Sequence, residues 1–293
     1  MANNVAALLR ATGDYAESRE VFLANIEIFR GAYGPDDRRV GQTLINLTIV
    51  ELDLGLVDEA VAHAGEAVEN LEAAHGPESM LVAKATLTRA QAELMADRPE
   101  DALRSVVEAR ALMAAQLGEA HSEVGIADSD LGNAYLGLER WAESAAAFQR
   151  SIETLEGAWG DEDPRLALVL LGLADARSGG GDDGGAHAAL DRALRITGRT
   201  SEASVRVAKG KLLLKEGEAE AALVHLERAL ALREVDQGDP QMVVVAKFHL
   251  ARALFATDTD PERARALARW VADHANEHEL PEMAQRARAL LDG

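Results

Sequence analysis

The feature that most constrains this chain is a short glycine motif that returns at a constant interval. Its first four glycines are Gly34, Gly76, Gly118 and Gly160, whose sequence numbers increase in equal steps of 42. The step then shortens to 38 at Gly198 and to 40 at Gly238. Self-similarity at a period of this length is the signature of repeat proteins, in which each unit packs on its neighbours. We therefore expect an array of similar units.

Each unit carries the pattern of two helices joined by a tight turn. Apolar residues recur at helical spacing over residues 40–54, Gly55 follows, and a second helical pattern covers residues 59–74. Gly217 has the same place in a later unit, and glycine just after a last turn suits a left-handed helix cap. No segment shows the period-two alternation of a half-buried strand. The prediction is an all-α chain.

Small residues occupy fixed places in the second helix of each unit. The fourth unit carries Gly132 and Tyr135 on its first helix, then Ser144, Phe148 and Ser151 on its second. Two helices cross closely only where one side chain is small. Other units keep the second-helix pattern as Ala60/Ala64/Ala67, Ala102/Val106/Ala109, Ala186/Leu190/Ala193 and Ala222/Leu226/Ala229. This pattern resembles the tetratricopeptide repeat (TPR).

The TPR resemblance implies a right-handed superhelical solenoid of about seven helix-turn-helix units. The period of 42 exceeds the usual 34 and is similar to the variety in kinesin light chains and in TPR regions of bacterial signalling proteins. The predicted solenoid covers residues 1–278, and residues 279–293 are expected to form a C-terminal capping helix. The predicted units are 1–34, 35–76, 77–118, 119–160, 161–198, 199–238 and 239–278.

Composition limits the partners of such a chain. Against 30 Lys and Arg it has 50 Asp and Glu, a net charge of −20, which repels nucleic acid and anionic lipid. No Cys is present, so disulfides, thiolate metal sites and cysteine nucleophiles are excluded. The sequence has no apolar run long enough to span a membrane and no visible signal peptide. We expect a soluble cytoplasmic protein with neither nucleic acid nor membrane as partner.

Three segments partly match motifs that bind a metal ion or a phosphate group. His274 and His278 are four residues apart, which would place them on one helix face where they could bind zinc. This pair is the one sequence feature that supports a zinc-dependent hydrolase as an alternative function. The glycine-rich residues 178–185 lack the lysine of a phosphate loop, and residues 161–164 lack the downstream Gly and Glu of a calcium loop. We therefore predict no enzyme activity, no cofactor and no metal. The glycine-rich segment is expected to be a surface loop, with a hinge as the alternative.

The resemblance also implies where a partner would bind, because first helices line the concave face of TPR solenoids. Asn46 and Asn133 resemble the asparagines with which the family holds an extended peptide backbone, since an amide both donates and accepts. One subclass of the family binds the C-terminal tails of chaperones through paired Lys and Asn residues on successive first helices. This sequence does not carry that pattern, which disfavours such a partner. The predicted contact residues are Gln42, Ile45, Asn46, Ile49, Lys84, Leu87, Gln91, Ser129, Asn133, Lys211, Lys215 and Lys247, with Asp130 beside Ser129.

Lysine placement suggests the charge of the partner. The chain has five lysines, all in predicted first helices: Lys84, Lys209, Lys211, Lys215 and Lys247. In a chain of charge −20 a local positive strip would attract an anionic group, such as an acidic peptide segment or a terminal carboxylate. The alternative is that these lysines simply solvate helix surfaces.

Two functions are compatible with this pattern. The first is a non-enzymatic scaffold that binds a peptide or helical segment of a partner protein in its concave groove. The alternative is a sensor region of a larger bacterial signalling protein, such as a kinase or a STAND-type ATPase, that controls a catalytic domain. Val5, Leu8 and Leu9 have no preceding unit to pack on. We therefore expect a region of a longer protein, or an N-terminal repeat that contacts another chain.

Overall fold

The computed structural model describes residues 2–236, 240–278 and 280–292. The chain divides into two compact units, Met1–Gly160 (unit 1) and Asp161–Gly293 (unit 2). Throughout the described ranges every regular element is a helix, so the predicted all-α fold is confirmed. None of these helices is long and apolar enough to cross a membrane. Gly238 of the glycine motif lies outside the described residues.

Unit 1 repeats with a fixed period. Its helices are α1 (Ala2–Thr12), α2 (Tyr15–Tyr33), α3 (Arg38–Asp53), α4 (Val57–His75), α5 (Met80–Met95), α6 (Pro99–Leu117), α7 (Ser122–Gly137) and α8 (Trp141–Trp159). Helices α3, α5 and α7 begin one full period of the glycine motif apart, and so do α2, α4, α6 and α8. Side chains separated by one period therefore hold equivalent places in unit 1.

The repeated glycines end the second helices of unit 1. At all four the angle φ lies between +80° and +93°, a range that favours glycine. Each glycine N–H donates to the carbonyl four residues earlier and so satisfies one free carbonyl of the helix end. The period of the motif thus reports the period of the fold.

Two layers of helices build unit 1. First helices lie side by side, as shown by the hydrogen bond from Asn3 Nδ2 to Thr43 Oγ1 (2.8 Å) between α1 and α3. Within a pair, approach is close: a Cβ on Gly132 would lie 2.8 Å from the ring of Phe148. The Ser144 hydroxyl donates to the carbonyl of Gly132 at 2.8 Å. The small residues therefore permit the tight crossing that the sequence predicts.

Unit 2 continues the helix pairs with less regular lengths. Its helices are α9 (Leu166–Gly179), α10 (Asp183–Ile196), α11 (Arg199–Glu216), α12 (Ala219–Asp236), α13 (Pro240–Thr257), α14 (Pro261–His274), a 3-10 turn (Ala275–His278) and α15 (Pro281–Asp292). Helix α15 lies where the capping helix is predicted. Its Ala284 and Ala287 are buried in one apolar cluster with Phe248 and Val271.

The glycine-rich segment is not the loop that the sequence predicts. Helix α9 continues to Gly179 and α10 begins at Asp183, so only three residues form a turn. Gly181 takes φ +84°, and the carboxylate of Asp182 accepts a hydrogen bond from the Gly185 N–H at 2.9 Å. This side-chain cap starts a helix within the glycines. The prediction of a surface loop replacing a tight turn was therefore wrong.

The shorter interval to Gly198 also has a structural cause. Helix α10 has 14 residues, whereas α2, α4, α6 and α8 have 19. Gly198 has φ −83° and precedes the first residue of α11, whereas the other four glycines follow a helix. Gly198 is therefore not equivalent to Gly160, although the sequence spacing suggested that it was.

Candidate functional site

The first helices of unit 1 present one continuous set of polar and apolar side chains. We call this set, on α3, α5 and α7, the first-helix face. It consists of Gln42, Ile45, Asn46, Ile49, Lys84, Gln91, Ser129 and Asn133, all of which are exposed or partly exposed. Two contacts join α5 to α7 across it: Lys84 Nζ to Glu123 Oε1 (3.0 Å) and Gln91 Nε2 to Asp130 Oδ2 (3.2 Å).

Four polar side chains of the first-helix face have no partner within the described part of the chain. Gln42, Asn46, Ser129 and Asn133 form no hydrogen bond there, although each can both donate and accept. Other amide side chains of unit 1 do form hydrogen bonds: Asn25 Nδ2, for example, donates to Asn3 Oδ1 at 2.9 Å. The first-helix face therefore offers unused hydrogen-bonding groups beside the partly exposed side chains of Ile45 and Ile49.

One predicted contact residue is buried instead. Leu87 is 7% exposed and belongs to the apolar core that includes Ala102 and Val106 of α6. Its expected role in contacting a partner is therefore wrong, because its side chain holds α5 against the second helix of the pair. Ser129, at the equivalent position of α7, stays partly exposed.

A buried carboxylate lies under the first-helix face. Asp130 is 8% exposed and accepts a single hydrogen bond, from Gln91. Burial raises the pKa of Asp130 to about 6, and the hydrogen bond from Gln91 opposes this rise. By contrast, the buried Asp128 on the same helix is bonded by Arg110 Nε at 2.8 Å and Arg150 Nη2 at 3.1 Å.

In unit 2 the helices α9, α10 and α11 line a pocket of about 240 Å³ that is open to solvent, where Asp175 and Lys211 are exposed. Its polar lining consists of Asp175, Ser178, Lys211 and Lys215, and the rest is apolar or glycine. The structure therefore brings two predicted contact residues, Lys211 and Lys215, together in one site. Sequence reasoning missed Asp175 and Ser178, whose helix carries no charged pattern that singles them out.

Three of the four lysines of unit 2 contact other side chains. Lys215 Nζ donates to Asp183 Oδ1 at 2.7 Å and to the Ser178 carbonyl at 2.9 Å. Lys209 is 7% exposed and pairs with Asp191 at 2.6 Å. Lys247 Nζ lies 3.9 Å from the centre of the Trp270 ring. Among the described residues, Lys211 is the one lysine with neither an ion pair nor a hydrogen bond nor a ring contact.

Three cations surround a buried histidine in unit 2. Burial lowers the pKa of His249 to about 3, and Lys211, Arg252 and Arg286 lower it further. Arg252 Nη1 lies 3.3 Å from His249 Nδ1, and the Arg286 guanidinium lies 5.0 Å from the Phe248 ring. Lys211, Arg252 and Arg286 form what we call the cation cluster. The two arginines were missed from the sequence because they lie in separate helices, α13 and α15.

A model of the tetratricopeptide repeat family matches residues 1–73 and 123–198, more than half of the chain. The chain belongs to the tetratricopeptide repeat family. A similar protein, KINESIN LIGHT CHAIN-RELATED 3 of Arabidopsis thaliana, is 30% identical over 185 residues, which are 63% of this TPR chain. The match spans 28% of the length of that relative. The predicted likeness to kinesin light chain repeats is confirmed.

Solved structures share the TPR fold. The apo form of the quorum sensor NprR from B. thuringiensis gives a TM-score of 0.65 at 14% identity, over 99% of this chain and 79% of that one. A Rap protein complexed with Competence and Sporulation Factor gives 0.62 at 11% identity, over 99% and 95%. At such identities these likenesses show the TPR fold.

The histidine pair does not form the helix face that the sequence suggested. Helix α14 ends at His274, and residues 275–278 form a 3-10 turn. The His274 ring stacks on Trp270 at 4.5 Å between ring centres, and its Nδ1 lies 2.8 Å from the Trp270 carbonyl. The His278 side chain lies outside the described residues. In the part of the chain that is described, no group of three or more potential ligands is placed to hold a metal.

The apolar residues expected to lack a packing partner lie on α1. Val5 and Leu8 are 53% and 65% exposed, whereas Leu9 is partly buried. Ala6 of the same helix is fully buried, and its carbonyl accepts a hydrogen bond from Ser18 Oγ at 2.7 Å. One side of α1 therefore packs on the rest of unit 1, while Val5 and Leu8 are exposed to solvent.

Proposed function

We propose that this TPR protein is a non-enzymatic scaffold that holds a peptide or helical segment of a partner protein along its first helices. The observation that carries this proposal is the set of unbonded side chains Gln42, Asn46, Ser129 and Asn133 on the first-helix face. An extended peptide presents N–H and C=O groups along its length, and amide side chains can bond both. Ile45 and Ile49 would contact its apolar side chains.

Peptide selection followed by affinity measurement tests this function. Peptides from a random phage-displayed library that bind the wild-type protein are synthesised and titrated by calorimetry against Asn46→Ala/Asn133→Ala. Each lost hydrogen bond weakens binding by about 1 kcal/mol, so the double variant should bind roughly thirtyfold less tightly. Gln149→Ala, which removes an amide on α8 that donates to Glu153, is the matched control and should bind as wild type. Equal affinities for all three proteins would contradict the proposal.

We further propose that the partner carries an acidic segment that contacts unit 2 at Lys211, Lys215 and Lys247. The cation cluster supports this, because Arg252 and Arg286 form no ion pair among the described residues of a chain with net charge −20. Their positive charge adds to that of Lys211 and would favour a carboxylate nearby. Lys215 and Lys247 would contribute less, since Asp183 and the Trp270 ring already hold their ammonium groups.

Charge reversal tests the acidic partner. Lys211→Glu should weaken binding of a selected acidic peptide at low salt, and the loss should shrink as salt screens the charges. Arg269→Glu makes the same charge change on an exposed part of α14 and serves as control. If both variants lose the same affinity, the contact is not specific to the cation cluster, and the acidic partner is ruled out.

A further inference from the structure

We infer that the cavity between α9, α10 and α11 binds a small zwitterion, an α-amino acid, with the ligand ammonium at Asp175 and its carboxylate at Lys211. Both side chains line this cavity of about 240 Å³. The inference goes beyond the proposed scaffold function, because the ligand is a small molecule. The site shares Lys211 with the proposed acidic contact of unit 2 and has no residue of the first-helix face, which belongs to unit 1.

One residue that lines the pocket departs from the pattern of the repeats. Leu52, Leu94 and Leu136 hold equivalent places in successive repeats near the ends of α3, α5 and α7, and each is partly buried. Ser178 holds the next place in this series, near the end of α9. A serine side chain is too short to fill the volume of a leucine. The pocket of unit 2 therefore has a serine at a position where the repeats of unit 1 carry a leucine.

Two opposite charges face this space without bonding to each other. Asp175 and Lys211 approach closely enough to interact electrostatically, yet neither forms an ion pair or hydrogen bond within the described ranges. The protein around Asp175 removes part of the water from its carboxyl and raises its pKa, while Lys211 opposes that rise. A ligand with an ammonium next to a carboxylate would pair with both groups at once.

The rest of the lining selects for size and for one orientation. Lys215 is held by Asp183 and by the Ser178 carbonyl, so Lys211 is the free ammonium for the ligand carboxylate. Leu190 and Leu212 supply apolar wall for a ligand side chain. Drug-sized ligands occupy pockets of about 300–1,000 Å³, so this cavity suits a ligand of a single residue.

Binding of amino acids and their analogues tests the inference directly. The twenty standard L-amino acids are each titrated at millimolar concentration against the full chain by isothermal calorimetry. For the tightest binder, its amide lacks the carboxylate and its des-amino acid lacks the ammonium. Each analogue should bind about ten to a hundred times more weakly, since each loses a charged hydrogen bond. A dipeptide that begins with the same residue tests whether the ligand is a free amino acid or the amino terminus of a peptide. The dipeptide retains the ammonium group but has its carboxylate in a different place.

Variants in the cavity complete the test. Asp175→Asn should weaken binding at least tenfold, while Asp273→Asn, a matched change at an exposed residue of α14, should leave it unchanged. Ser178→Leu restores the leucine of the other repeats and should abolish binding, with circular dichroism confirming that the helices are intact. No measurable binding of any of the twenty to the wild type, or wild-type affinity in Asp175→Asn, would overturn the inference. Asn46→Ala/Asn133→Ala should bind the amino acid normally, which separates this outcome from failure of the scaffold function.

Discussion

Replacing the buried Asp130 by asparagine should stabilise unit 1 in a manner that depends on pH. The carboxylate is 8% exposed and receives one hydrogen bond, from Gln91, and its pKa rises from 3.8 to about 6. An acid whose pKa is higher in the folded state binds protons more tightly there. Ionising it therefore opposes folding, and this cost is full above pH 6 and fades as the pH falls toward 4.

The two pKa values set the size of the effect. A difference of about two units, at 1.36 kcal/mol per unit, corresponds to about 3 kcal/mol at pH 7.5. At pH 4.5 the unfolded carboxyl is largely ionised but the folded one is not, and about 1 kcal/mol remains. The asparagine side chain would carry no charge at either pH and could still accept the hydrogen bond from Gln91. The variant should therefore gain about 3 kcal/mol over wild type at pH 7.5 and about 1 kcal/mol at pH 4.5.

Urea denaturation measures this gain. Trp141 and Trp159 lie on α8 of unit 1, so a Trp270→Phe background restricts the fluorescence signal to that unit. In this background, unfolding free energies with Asp130 intact and with Asp130→Asn are compared at pH 4.5, 6.0 and 7.5. A difference that does not change with pH, or a variant less stable than its parent at pH 7.5, would refute the reasoning about the buried charge.

Three further changes have predictable outcomes in the same type of assay. Gly132→Ala should destabilise unit 1 by about 1–3 kcal/mol, because its Cβ would meet the Phe148 ring at 2.8 Å, whereas Gly157→Ala has open space and should be neutral or gain up to about 1 kcal/mol; equal effects would contradict this. Asp128→Ala should lose about 3 kcal/mol at pH 7.5, since it leaves two arginines without their buried carboxylate, and a loss below about 1 kcal/mol would argue against that role. His249 has a pKa lowered to about 3, so the unfolded state takes up more protons below pH 6.5. Unit 2 should then lose about 2 kcal/mol between pH 7.5 and 5, and His249→Gln should remove that loss; Trp270 fluorescence reports it in a Trp141→Phe/Trp159→Phe background.

The fold could be predicted from the sequence because its signals recur. The glycines at left-handed caps and the small residues at helix crossings serve a local geometric need, and each need returns with every repeat of unit 1. In unit 2 the same rules failed locally. Gly198 precedes a helix instead of following one, and a carboxylate cap at Asp182 turns apparent loop glycines into the first turn of α10. A spacing alone does not state which end of a helix a glycine occupies.

The candidate site was only partly visible in the sequence. Helical register placed Asn46 and Asn133 on the same side of first helices, and it identified Lys211 as a contact residue. It did not distinguish Leu87, which is buried, from its partly exposed counterpart Ser129. Nor could it assign partners to the lysines, because the aspartates that pair with Lys215 and Lys209 belong to a different helix. Side-chain pairing between helices depends on packing distances that no linear pattern encodes.

Hydrogen exchange on the full chain with a selected peptide tests the scaffold most directly. Mass spectrometry would compare amide protection with and without the peptide, helix by helix. Binding along the first-helix face should slow exchange in α3, α5 and α7 of the wild-type protein and have much less effect in Asn46→Ala/Asn133→Ala. Protection confined to the second helices α4, α6 and α8, or equal protection in both proteins, would contradict a partner site on the first helices.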